Sequence, residues 1–166
     1  MNLAIYAPAP ISVVRKMLEM AQVTPDDVIC DLGSGDGRLL FTAVKEFGAK
    51  KAIGHEIKGD LCKACRQDIE RQNLQSRIVV TDVDMLDANL SEVSVIMLYL
   101  SEAANEMLRP KLEREAKSGT RIVNYLIPMK GWQPVDKLVL GVYHWGEDHI
   151  TEAIYLFTVP ESFEKT

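Results

Sequence analysis

Cysteine is scarce in this 166-residue chain: Cys30, Cys62 and Cys65 are too few, and odd in number, for a disulfide framework. A stapled secreted scaffold is excluded, and a reducing compartment, the cytoplasm, is expected. Long apolar runs are missing too. No stretch approaches the ~18–20 uninterrupted apolar residues of a membrane helix, and no basic segment followed by an apolar run and a cleavage site opens the chain. Neither a membrane span nor a signal peptide is expected. An excess of positive charge is also lacking. The 19 Lys and Arg stand against 24 Asp and Glu, a formal net charge of -5, which argues against a partner as highly charged as a long nucleic acid. Internal repeats, linkers and low-complexity segments are absent. What is present, 47% hydrophobic and 26% charged residues, is the composition of one globular domain spanning 1–166.

Apolar runs alternate with amphipathic stretches along most of the chain. Helical spacing is expected over Ser12–Ala21, Arg38–Phe47 and Gly59–Gln72, and strands over Val28–Leu32, Lys51–Ile57 and Ile78–Val83. Val93–Leu100 is apolar almost throughout, as a central strand covered on both faces should be. Glu102–Ala116 reads as helical but interrupted at Pro110, where a kink or a fresh helix start is expected because proline has no amide hydrogen to donate. Arg121–Ile127 is a fifth strand. Leu138–Trp145 and Ala153–Val159 follow with no helix between them and should pair antiparallel. The fold class is therefore α/β: a doubly wound, Rossmann-like, mostly parallel sheet ending in an antiparallel hairpin.

The first expected strand runs into Asp31-Leu-Gly33-Ser34-Gly35-Asp36-Gly37 and then into a helix, the context in which a glycine turn cradles a ligand. A plain βα connection would look similar, but two acids stand nearby. Glu56 ends the second strand, 21 residues after Gly35, where a carboxylate can accept hydrogen bonds from both hydroxyls of a ribose. Asp84 ends the third, so Asp31, Glu56 and Asp84 should converge at the carboxyl edge of the sheet, where ligands of open α/β sheets bind. Spacing and charge select the ligand. The turn is G-x-G-x-G, whereas the dinucleotide fingerprint is G-x-G-x-x-G, and a pyrophosphate would face Asp31 and Asp36. No Gly-Lys-Ser/Thr follows the glycines. S-adenosylmethionine carries a cationic sulfonium and an ammonium, which these acids attract.

At these residues the sequence resembles the class I S-adenosylmethionine-dependent methyltransferases: DLGSGDG at 31–37, GHEI at 54–57 and Asp84. Across nearly its full length it is similar to the small single-domain protein-lysine methyltransferases of prokaryotes and mitochondria. That likeness is carried by Tyr6-Ala-Pro8-Ala-Pro10 ahead of VVRKML, by GSGDGR, by NEMLRPKLE from Asn105, by Gly119-Thr-Arg-Ile-Val and by Gly131-Trp132. The resemblance implies that Asp31, Gly33, Ser34 and Gly35 hold the methionine part of the cofactor. It implies that Glu56 and Ile57 lie at the ribose, and Asp84 and Met85 at the adenine. Tyr99 and Leu100 match the strand end beside the transferred methyl, and Tyr6 and Pro8 belong to a segment, residues 1–10, that closes as a lid. Two departures stand out. Val83 replaces a common glycine, and the fourth strand ends in Tyr-Leu-Ser-Glu in place of the Asn/Asp-Pro-Pro-Tyr type of amine and nucleobase methylators, which points away from base methylation. The acceptor implied is lysine of a protein. A small metabolite or RNA acceptor, or a non-catalytic adenosine-binding module, is the alternative; an NAD enzyme would need a catalytic domain that this length leaves no room for.

Plainer roles compete at several positions. Cys62 and Cys65 lie at helical spacing with no second ligand pair, so a packed helix face is expected and no metal site. His55 either faces a substrate or alternates to the other side of its strand. Tyr99, the candidate catalytic residue, either positions an amine or belongs to the core. Trp132 is read as packing, and His144 and His149 as solvated residues flanking a hairpin turn at Trp145-Gly-Glu-Asp.

Overall fold

The computed structural model describes residues 7–163; Tyr6 and the first part of the expected lid lie outside them. The elements in chain order are α1 (Ile11–Met20), β1 (Val28–Leu32), α2 (Arg38–Lys45), β2 (Lys51–His55), α3 (Gly59–Arg71), β3 (Ile78–Thr81) and a 3-10 turn at Met85–Asp87. Then come β4 (Val95–Leu98), α4 (Glu102–Glu115), β5 (Arg121–Tyr125), β6 (Asp136–Trp145) and β7 (Asp148–Thr158). One seven-stranded sheet has the order β3-β2-β1-β4-β5-β7-β6. It is parallel except at β7, which runs antiparallel to both β5 and β6. This is the Rossmann-like arrangement expected from the sequence.

Alternation along the strands builds two cores. In β4, Val95 and Met97 join Val14, Leu18, Leu40 and Ala43 on the side covered by α1, α2 and α3. Ile96 and Leu98 point the other way and pack with Leu108 and Leu112 of α4, Trp132 and Phe157. The expected packing role of Trp132 fits its place: its ring meets Phe157 edge-on at 5.6 Å and Phe163 at 4.6 Å, and its indole N–H donates to Glu113 at 2.9 Å. Cys62 and Cys65 are buried and unbridged on the α3 face, so they pack.

One of the two alternatives at Pro110 and the expected strand bounds of the hairpin are corrected. No fresh helix starts at Pro110: α4 runs through it, with Ser101 capping the first turn by accepting the Ala104 amide and with Asn105, Leu108, Lys111 and Leu112 buried. Proline removes one amide donor, and tertiary burial of this face outweighs that loss. The hairpin is also longer than expected. β7 begins at Asp148, the turn is Gly146-Glu147 with Gly146 at φ 64°, and His144 pairs directly with His149. The stretch from Asp148 to Glu152 is held in the strand by pairing with β6, which no apolar alternation announces.

Four strands end about two residues before their apolar runs do. β2 stops at His55, β3 at Thr81, β4 at Leu98 and β5 at Tyr125. The residues just past them leave the sheet at its carboxyl edge and form a rim.

Candidate functional site

The glycine turn is fastened to the end of β2. The His55 carbonyl accepts the amides of Gly33 and Ser34, at 2.9 and 3.0 Å, and the Glu56 carboxylate accepts the amide of Gly35 at 2.8 Å. Gly33, Gly35 and Gly37 all have left-handed φ, of 103°, 56° and 82°. At Gly37 sterics add to this, since a Cβ there would lie 2.4 Å from the Cys65 sulfur. The turn then enters α2 directly.

Beside it opens a cavity of about 490 Å³, the size of a small-molecule site. Every sequence-predicted site residue within the described range lines it. Asp31, Gly33, Ser34 and Gly35 form one wall, Glu56 and Ile57 the next, and Asp84 and Met85 a third. Tyr99 and Leu100 close the far side, and Pro8 lies across the mouth with Ala7 and Ala9. Arg38 ties that segment down: its guanidinium donates to the Ala9 carbonyl at 3.2 Å and pairs with Asp36 at 2.7 Å. Asp84 already accepts the Leu86 amide at 2.8 Å, capping the 3-10 turn.

The electrostatics favour a cation. Asp31, only 8% exposed, has its pKa pushed up to about 7 by burial and then by the neighbouring charges of Glu56 and Asp36. A cation placed beside it would restore its charge. The Ser34 hydroxyl is buried and has no hydrogen-bond partner among the described residues, as expected of a group that meets a ligand. These features fit the amino-acid end of S-adenosylmethionine, and Glu56 fits a ribose. His55 lies on the cavity side, buried, with no well-aligned hydrogen bond to either ring nitrogen among the described residues. Burial lowers its pKa against a raising contribution from the Val83 backbone, so it is neutral near pH 7. Among the described residues no cluster of His, Cys, Asp and Glu could hold a metal, and no helix is long and apolar enough to cross a membrane.

Sequence reasoning missed Leu126 and Ile127, which line the cavity beyond β5. Leu126 has φ 72°, and the Ile127 amide donates to the Tyr125 carbonyl at 2.9 Å, a tight three-residue turn. The amides of Asn105 and Asn124 both donate to the Ile127 carbonyl, at 3.1 and 3.2 Å. Leucine is not a turn former, so nothing local signalled this wall.

Comparison with known proteins agrees with the geometry. Residues 31–136 match the ANTKMT methyltransferase domain. A protein-lysine N-methyltransferase of Saccharolobus islandicus is 39% identical over 94% of both chains. The mouse adenine nucleotide translocase lysine N-methyltransferase is 28% identical over 78% of this chain, which spans 56% of that protein. A solved RNA methyltransferase of Salinibacter ruber, in complex with S-adenosyl-L-homocysteine, superimposes with a TM-score of 0.82 at 32% identity, covering 96% of this chain and 98% of that one. The chain belongs to the ANTKMT methyltransferase domain family of class I S-adenosylmethionine-dependent methyltransferases.

Proposed function

We propose that the cavity is the joint cofactor and amine site of a protein-lysine N-methyltransferase. The observation that carries this reading is the pair of buried carboxylates, Asp31 and Glu56, set on adjacent strand ends against the glycine turn. Bound S-adenosylmethionine supplies an electrophilic methyl on a cationic sulfur. Asp31 and the turn amides hold its amino-acid end, Glu56 and Ile57 its ribose, and Asp84 and Met85 its adenine. The Pro8 segment, 1–10 as a whole, acts as the lid.

For the acceptor, alignment and exclusion of water matter more than an acid-base pair. Leu98, Leu100, Leu126 and Ile127 give that side an apolar wall. Such surroundings disfavour an ammonium and lower the pKa of a lysine amine. Tyr99, 37% exposed at the rim, is the group available to orient the neutral amine by its hydroxyl. The relatives from Saccharolobus and mouse support a protein acceptor, and the net charge of -5 supports one other than a long nucleic acid. Three unbridged cysteines support the cytoplasm.

The similar Salinibacter protein, an RNA methyltransferase, makes RNA the second reading. Purified protein incubated with labelled methyl donor and lysate separates the two. Label on lysine side chains, located by mass spectrometry, is the expected result. Label confined to RNA or to small molecules would overturn it.

A further inference from the structure

Three tyrosines and one glutamate meet beside the cavity, outside the residues assigned to the cofactor. Tyr99, on the rim, packs against Tyr125 with ring centroids 4.8 Å apart and planes tilted by 52°. The Tyr125 hydroxyl donates to one carboxylate oxygen of Glu152 at 2.5 Å, and the Tyr143 hydroxyl donates to the other at 2.8 Å. These residues come from β5, from the two hairpin strands and from the loop after β4, so only the assembled sheet edge brings them together. Gly141 completes the arrangement. It pairs with Glu152 across the hairpin, and the Tyr143 ring folds back over it so closely that a Cβ there would lie 3.2 Å from the tyrosine oxygen. The strand is irregular between Val139 and Gly141, which re-aims this segment.

A carboxylate held by two tyrosine hydroxyls, with a third tyrosine ring packed against one of them, is a receptor for an organic cation, because the anion and the ring quadrupoles attract the same charge. The alternatives fit poorly. The hydrogen bonds from Tyr125 and Tyr143 hold the Glu152 pKa below the ordinary range, which makes it a weak base. Burial and then the same carboxylate raise the pKa of Tyr125, and the carboxylate raises that of Tyr143, so their hydroxyls stay neutral. One carboxylate with two neutral phenols is not a metal-ligand set. Tyr143 is 59% exposed, so the cluster is open to a ligand arriving from solvent.

We propose that Glu152, with Tyr99, Tyr125 and Tyr143, receives the ammonium of the acceptor lysine at the mouth of the cavity. This rests on the lysine reading and adds the route of approach: over the β6–β7 hairpin, past the Tyr99 ring. The proton leaves to water after this contact, since Glu152 does not take it. Glu152 is thus a positioning residue that sets substrate affinity.

The test uses n-butylammonium, the lysine side-chain analogue, with the full chain, and n-butanol as the neutral control. Ring signals of Tyr99, Tyr125 and Tyr143 in nuclear magnetic resonance spectra are expected to shift with the amine and not with the alcohol. Tyr155, whose ring lies under Lys137, should not respond. Glu152→Gln should raise the half-saturating amine concentration about 10-fold, the scale of one charge-assisted contact. In the same variant KM for a lysine-rich peptide should rise while S-adenosylhomocysteine affinity holds. Gly141→Ala, which replaces none of the four residues, should weaken amine binding by displacing the Tyr143 ring, and it decides the matter if Glu152→Gln unfolds. Unmoved tyrosine signals, or equal half-saturation in both variants and the wild type, would overturn the proposal. Amine binding as expected in a protein that methylates no lysine would instead overturn the lysine reading and leave the cation site standing.

Discussion

The carboxylate of Glu56 holds two backbone amides at once, those of Gly35 and Lys58, each at 2.8 Å. It therefore braces the glycine turn before any ligand arrives. Glu56→Ala is expected to weaken cofactor binding by about 1.5–3 kcal/mol, the range for hydrogen bonds to a charged group. It should also lower thermal stability, because two amides lose their acceptor. Calorimetry and a melting curve check both; an unchanged dissociation constant would remove Glu56 from the ribose role.

Asp31, proposed to meet the cationic end of the cofactor, is expected to make cofactor affinity depend on pH. In the folded protein it keeps its proton up to about pH 7, against 3.8 for an ordinary aspartate. Its contribution to stability is thus full below about pH 4 and is lost as pH rises through 7, the reverse of an ion-paired carboxylate. A cationic ligand favours the ionised form, so affinity should climb about tenfold per unit as pH rises toward 7 and then level. His55, held neutral by burial, works in the opposite sense on stability under acid. Binding is therefore the cleaner measurement. Calorimetry at pH 6 in buffers of different ionisation enthalpy should show close to one proton released, and Asp31→Asn should flatten the profile.

The segment ahead of α1 is expected to act on the ligand more than on the fold. Pro8 and Pro10 restrict it, which lowers the entropy cost of ordering, and Arg38 anchors it at Ala9. Removing residues 1–8 should reduce methyl-donor affinity while the melting temperature of the unliganded protein stays close to that of the intact chain. Normal binding by the truncated protein would refute the lid.

Turnover should report on the amine. A free lysine has a pKa near ~10.4, so little is neutral at pH 7, and the rate at saturating cofactor should rise with a logarithmic slope near one until the bound amine's own pKa is passed. Acetylating the lysines of a protein substrate should abolish labelling. Tyr99→Phe should cost about 10- to 100-fold in turnover, the scale of lost positioning, with cofactor affinity intact. Full turnover in that variant would reduce Tyr99 to a partner of Tyr125 in packing.

The part of the cavity proposed for the cofactor was legible in the sequence because its determinants are local. A glycine turn after an apolar strand, with acids at the ends of the next two strands, states both position and charge within 31–85. The acceptor half was not. Leu126 adopts its turn with the next carbonyl held by Asn124 nearby and by Asn105, 22 residues back on α4. Tyr143 reaches Glu152 because strand register and a glycine permit it. The apolar runs also misled at their ends: Tyr99-Leu100 and Leu126-Ile127 read as strand, yet they form the rim. Apolar character there serves the cavity wall and not the sheet.

Because β7 runs against β5, the hairpin continues past Tyr125, whose partner is Ile154, and projects the six residues from Asp148 to Ala153 beyond the carboxyl edge, roughly 20 Å of strand. Its tip is a two-residue turn at Gly146-Glu147, distant in sequence from everything that cradles the cofactor. On the proposed route over the hairpin, the residues for methyl transfer and those for substrate choice lie in separate stretches of the sequence. Lengthening or recharging the tip is then expected to change which proteins are methylated while methyl-donor affinity stays the same.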